Sequence, residues 1–113
     1  TIGSRIVAVE GGYDHNYIIN KPEGKLTRAA TAHDPASGRM MEVWTTEPAV
    51  QLYTGNHLAN VAGKGGQIYN KHAGLCFEAQ HYPDSPNHPE FPNTILRPGE
   101  EYVQTTIYRF SVK

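Results

Sequence analysis

Cysteine is almost missing from this chain. Cys76 is its only one among 113 residues, so no disulfide can close within it, and no Asn-x-Ser/Thr acceptor occurs. Both absences favour a reducing, cytoplasmic compartment over a secreted one. Long apolar runs are missing as well. The longest is the four residues Ile6 to Val9, far short of the roughly 20 a membrane-spanning helix needs. Charge of one sign is not in excess, since ten Lys and Arg face eleven Asp and Glu for a net −1 with neutral His. No basic stretch is available to neutralise a run of phosphates, so neither nucleic acid nor membrane is an expected partner. The start, Thr1-Ile-Gly-Ser-Arg5, has no initiator Met and no charged region before an apolar one, and it reads as cut.

Helix-permitting stretches are scarce too. Eleven Gly and eight Pro punctuate the chain so often that Glu100 to Lys113 is the longest segment free of both, and that segment is rich in Thr, Val, Ile and Tyr. Strand signals recur instead, at Arg5–Val9, Tyr13–Ile19, Leu26–His33, Arg39–Thr46, Ala49–Tyr53, Leu75–Gln80 and Glu101–Val112. The pattern predicts an all-β antiparallel sandwich in a single domain over residues 1–113. In the last strand Tyr102, Gln104, Thr106, Tyr108, Phe110 and Val112 alternate with Val103, Thr105, Ile107, Arg109 and Ser111, which predicts that the aromatic face is buried. Lys21-Pro-Glu-Gly24, Asp34-Pro-Ala-Ser-Gly38 and Arg97-Pro-Gly-Glu100 have the residues of hairpin turns. Two longer segments, Thr54 to Ala73 and His81 to Asn93, read as functional loops, and strand edges are expected to need covering.

Several residues could carry chemistry. In Leu75-Cys-Phe-Glu-Ala-Gln80, strand alternation puts Leu75, Phe77 and Ala79 on one face and Cys76, Glu78 and Gln80 on the other. Glu78 is either a solvated carboxylate or a general base partly withdrawn from water, whose pKa rises by desolvation. Asp14 follows two glycines at a strand entry, where it makes an Asx turn or receives substrate hydroxyls. Gln51 offers a donor and an acceptor that serve either a pocket or the surface. Trp44 and the seven Tyr are core or rim material that also suits the faces of a sugar. His81, Asp84, His88 and Glu90 are ligand-type side chains on one Pro-rich loop, but no helical His pair or Cys/His knuckle is present, so no metal site is expected. Cys76 has no His partner in sequence and is not expected to be a nucleophile.

Together, Gly12-Tyr-Asp-His-Asn16, Ser37-Gly-Arg-Met-Met-Glu-Val43, Gln51-Leu-Tyr-Thr-Gly-Asn56, Phe77-Glu-Ala-Gln80, Pro83-Asp-Ser-Pro-Asn87 and Leu96-Arg-Pro-Gly-Glu-Glu-Tyr102 resemble the aldose 1-epimerase (galactose mutarotase) family over almost the whole chain. The resemblance implies a large antiparallel β-sandwich of which residues 1–113 are the C-terminal part, with the N-terminal part absent. It implies an isomerase that interconverts the α and β anomers of free galactose or glucose without a cofactor. Glu78 matches the family's general base, and Asp14 and Gln51 match residues that bind sugar hydroxyls. The family's acid His belongs to the N-terminal part, so this chain alone is expected to be nearly inactive. His15 belongs to the Asp14 motif and is not a replacement for that acid. The alternative reading is a non-catalytic carbohydrate-binding β-sandwich domain.

Overall fold

The computed structural model describes residues 1–113 as two compact units, Thr1–His15 with Gln51–Glu78, and Asn16–Val50 with Ala79–Lys113. One short helix, α1 (Ile2–Arg5), is followed by eight strands: β1 (Asp14–Ile18), β2 (Thr27–His33), β3 (Arg39–Thr45), β4 (Ala49–Tyr53), β5 (Val61–Ala62), β6 (Ile68–Tyr69), β7 (Cys76–Gln80) and β8 (Thr106–Val112). The strands form sheets in the orders β1-β4-β7, β2-β3-β8 and β5-β6. The all-β antiparallel class expected from the sequence is the one observed, and no helix is long and apolar enough to cross a membrane.

The first unit holds α1, the starts of β1 and β7, the end of β4, and the β5-β6 hairpin. Residues Arg5–Val9 are not the expected strand: α1 ends at Arg5 and a 3₁₀ turn spans Ile6–Ala8. The reason is local. Thr1 caps the helix, its hydroxyl accepting from Ser4 N at 3.2 Å while Ser4 Oγ donates to Thr1 O at 2.7 Å. The β5-β6 hairpin falls inside the predicted loop Thr54 to Ala73. Gly65 and Gly66 reverse the chain there at φ of 63° and 75°, between strands of only two residues that carry too little periodicity to be read.

In the second unit, β3 is the central strand, and Val43 and Thr45 on it are fully buried, with Ala49 and Val50 of β4 completing a small core. Of the three predicted hairpin turns only Asp34–Gly38 joins paired strands, β2 and β3. Its carboxylate accepts from Ser37 Oγ at 2.6 Å and from Ala36 N at 3.1 Å, which holds the Asp34 pKa below the usual range. Lys21–Gly24 turns between strands of different sheets, and Arg97–Glu100 turns ahead of β8.

The β8 alternation is as read, because Tyr108 pairs with Val43 and shares its face. Burial is not: Tyr108 is 46% and Phe110 74% exposed. β8 is an edge strand, beginning only at Thr106, so its aromatics have a neighbour on one side alone.

Candidate functional site

Gly11 and Gly12, at φ of 78° and 96°, turn the chain into β1, and two polar side chains from the end of β4 fix where that strand starts. Thr54 Oγ1 accepts from Tyr13 N at 3.0 Å, Thr54 N donates to Tyr13 O at 3.1 Å, and Asn56 Nδ2 donates to the same carbonyl at 2.9 Å. His72 Nδ1 holds the Thr54 carbonyl at 2.9 Å. These bonds set the register, and the next residue on β1, Asp14, meets Gln51 of β4. Gln51 Nε2 donates to Asp14 Oδ1 at 2.7 Å, so the Asx turn is not what this carboxylate does.

On β7, Cys76 and Glu78 share a face, as alternation requires, and the thiol donates to Glu78 Oε1 at 3.2 Å. Burial, this hydrogen bond and the negative fields of Glu78 and Asp14 push the Cys76 thiol up to about 11. At neutral pH the thiol holds its proton, so it is no nucleophile. The sheet order β1-β4-β7 puts the three sequence-selected residues Asp14, Gln51 and Glu78 on adjacent strands, all of them in the first unit. Glu78 itself is exposed. The withdrawal from water expected of it is therefore not supplied by these residues, because neighbouring Phe77 lies on the opposite face of β7.

The ligand-type residues of the Pro-rich loop are engaged elsewhere. His88 lies between Glu90, at 2.9 Å from Nδ1, and Asp84, at 3.4 Å from Nε2, and its ring stacks on Phe91. Its pKa is raised, first by the Glu90 hydrogen bond. His81 turns instead to Glu47, and no group of three or more His, Cys, Asp or Glu converges to hold a metal ion.

Sequence reasoning missed Glu47. The residue is 4% exposed, and its carboxylate accepts from Tyr102 OH and from His81 Nδ1, each at 2.6 Å. The Tyr102 hydroxyl is pushed up to about 12, chiefly by that bond. The available signal was a charged residue between Thr46 and Pro48, at the corner of β3 and β4. A cavity of about 480 Å³ in the second unit is lined by Lys21, Glu47, His81 and Tyr102, and by none of Asp14, Gln51 and Glu78.

Fold and site together define an antiparallel β protein with carboxylates and an amide gathered on neighbouring strands, a set of groups suited to receiving hydroxyls. Residues 1–109 match the family described as Aldose 1-epimerase. The chain belongs to the aldose 1-epimerase family. It is 52% identical to the galactose mutarotase of Mus musculus over 102 residues, covering 89% of this chain and 30% of that protein. It is 42% identical to the aldose 1-epimerase of Escherichia coli (strain K12), covering 88% of this chain and 29% of that protein. A GalM/aldose epimerase homologue from C. elegans superposes with a TM-score of 0.77 at 29% identity, over 88% of this chain and 30% of that one. The chain thus spans about 30% of the length of the relatives it matches.

Proposed function

We propose that residues 1–113 are the C-terminal part of an aldose 1-epimerase and carry the base side of its site, the acid His being supplied by an N-terminal part. In this reading Glu78 takes the proton of the anomeric hydroxyl while the acid protonates the ring oxygen, and the ring opens to the aldehyde. Rotation about the bond to the anomeric carbon and closure on the other face complete the exchange, with Glu78 returning its proton. Each positioned proton-transfer group is typically worth about 10²–10⁴-fold. Asp14 and Gln51 hold hydroxyls remote from the reacting carbon, so the sugar stays bound while its anomeric end turns. Free galactose or glucose is the substrate, the compartment is cytoplasmic, and the acid/base route asks for no redox cofactor.

The observation that carries this reading is the placing of Asp14, Gln51 and Glu78 on the adjacent strands β1, β4 and β7, with Gln51 bound to Asp14 at 2.7 Å. The names of the relatives support the reaction, and the exposed apolar residues of β8 support a surface built to be covered by further chain. The test is reconstitution. The 113-residue chain is joined to an N-terminal part, as one polypeptide or as two fragments, and anomer exchange of fresh galactose is followed by polarimetry. Activity is expected in the combination and to be nearly absent from the chain alone. Glu78→Gln should abolish exchange while galactose affinity stays within about tenfold. Full turnover by the isolated chain, or unslowed exchange by Glu78→Gln, overturns the proposal.

The exposure of Glu78 favours one second reading, a non-catalytic carbohydrate-binding domain. Galactose binding by calorimetry with no catalysed optical change in the reconstituted protein decides for it.

A further inference from the structure

The Pro-rich loop runs from Tyr82 to Pro92, both of which line the cavity of the second unit, and its prolines at 83, 86, 89 and 92 remove backbone donors along the way. Side chains around His88 do much of the holding. His88 Nδ1 lies 2.9 Å from Glu90 Oε1, and Nε2 on the far side of the ring lies 3.4 Å from Asp84 Oδ2. A neutral imidazole has one N–H and one lone pair, so it would turn a lone pair on one of these carboxylates; only the imidazolium has a hydrogen for each. The arrangement is built for a cation. The ring stacks on Phe91 at 4.6 Å and 18°, a contact that a positive ring strengthens, and Phe91 meets Tyr82 edge-on at 5.2 Å and 77°. Asp84 is at φ of 62°, a left-handed conformation that a residue other than glycine keeps where its surroundings hold it, and Asn87 Nδ2 grips its other oxygen, Oδ1.

We propose that His88 is a pH-dependent latch: protonated, it clamps Asp84 to Glu90 and, through Phe91, holds Tyr82 at the cavity wall; deprotonated, it lets one carboxylate go and the loop loosens. The path from proton to wall is a chain of touching groups, His88 to Phe91 to Tyr82, and Asp84 is where the released backbone can relax. It lies wholly in the second unit.

The charges acting on His88 are those of Glu90 and Asp84, and its stacked face meets the uncharged Phe91. The nearby His81 and Glu47 are turned to each other. The Glu90 hydrogen bond, opposed by burial and helped by both carboxylate charges, raises the His88 pKa, in agreement with the geometry. A raised His pKa contributes stability that is fully present below the unfolded value of about 6.5 and is lost as the pH rises through the folded one. The latch is therefore closed on the acid side. Asp84 and Glu90 are 60% and 63% exposed, so salt should weaken it.

The experiment is an NMR titration of the intact 113-residue chain between pH 5 and pH 9. The His88 ring should titrate with a midpoint above that of the same residue in the urea-unfolded chain, and the excess should shrink in 1 M sodium chloride. Nuclear Overhauser contacts between Phe91 and Tyr82 should weaken through that midpoint. The Phe91 amide, bonded to the His88 carbonyl at 3.0 Å, should exchange several-fold faster above it than the rise in pH alone dictates. A midpoint at or below the unfolded one overturns the proposal, as does a raised midpoint across which the ring contacts and the exchange stay level. Asp84→Asn combined with Glu90→Gln keeps the sizes, and Asn tolerates the left-handed backbone, so this variant isolates the charge. It should return the midpoint to the unfolded value and leave the loop loosened throughout; a raised midpoint that survives it also overturns the latch. None of these readouts depends on anomer exchange, so the outcome stands apart from the function proposed above.

Discussion

Gln51 on β4 and Asp14 on β1 are 37 residues apart in sequence and 2.7 Å apart in space, the amide donating to the carboxylate. A charge-assisted bond of this kind commits the Gln51 amide nitrogen to the Asp14 carboxylate. Asp14→Asn removes the charge and keeps the size. In the reconstituted enzyme it should raise KM for galactose by about tenfold to a hundredfold, the worth of a hydrogen bond to a charged group, with a smaller effect on kcat. Polarimetric rates across a galactose concentration series provide the check. A loss confined to kcat would mean that Asp14 acts in the proton transfers.

Cys76 should be slow to alkylate. Moving a thiol from its ordinary value near 9 to about 11 lowers the thiolate fraction at pH 8 by about a hundredfold, and the greater nucleophilicity of the more basic thiolate restores about tenfold. The net expectation is a reaction with iodoacetamide about tenfold slower than that of the unfolded chain. Glu78→Gln removes the carboxylate that accepts the thiol's hydrogen and should speed the reaction, which makes Cys76 a reporter of the charge on Glu78.

Gly12 is buried at φ of 96°, and a Cβ there would collide with Asn56 and His72. Gly12→Ala should therefore destabilise by about 1–3 kcal/mol, from backbone strain added to the displacement of the side chains that hold Tyr13 and Thr54. Denaturant unfolding measures the change. Gly11→Ala has the same kind of φ and no collision, so it should cost less.

The pH dependence of the second unit should report Glu42. Arg28 Nη1 donates to Glu42 Oε1 at 2.9 Å, and this bond, opposed by burial and helped by the charges of Arg28 and Arg109, holds the carboxyl below its ordinary pKa. A depressed carboxyl pKa contributes stability that is fully present above the unfolded value of about 4.3 and is lost as the pH falls through the folded value. Arg28→Gln should lower Tm modestly at pH 7 and should have a diminishing effect below pH 4. Thermal melts of both proteins between pH 7 and pH 2 test this, and a Tm difference that persists undiminished at the acid end counts against the pairing.

Much of the framework was legible because strands leave a period of two. β2, β3, β4 and β7 begin within a residue of where alternating side chains and flanking turn residues put them, and Asp34–Gly38 is a hairpin because its side-chain oxygens meet its own backbone. Arg5–Val9 was misread because β-branched residues mark a strand only where a partner strand pairs with them, and here Thr1 caps a short helix that runs to Arg5 instead. Part of the site was also legible. The adjacency of Cys76 and Glu78 follows from alternation on one strand, whereas Glu47 could not be seen to matter until His81 and Tyr102 were placed against it.

By itself the sequence determined the all-β class, the face on which each strand side chain lies and the separation of an amide from a carboxylate by 37 residues. These are local quantities, set by backbone sterics and by turns that a few neighbouring residues specify. The tertiary structure alone decided that Gln51 meets Asp14, that Glu47 is buried with two partners and that the aromatics of β8 lie open at an edge. Those outcomes depend on which strands pair and on what covers them, and pairing between distant segments is a choice among global arrangements that no local pattern encodes.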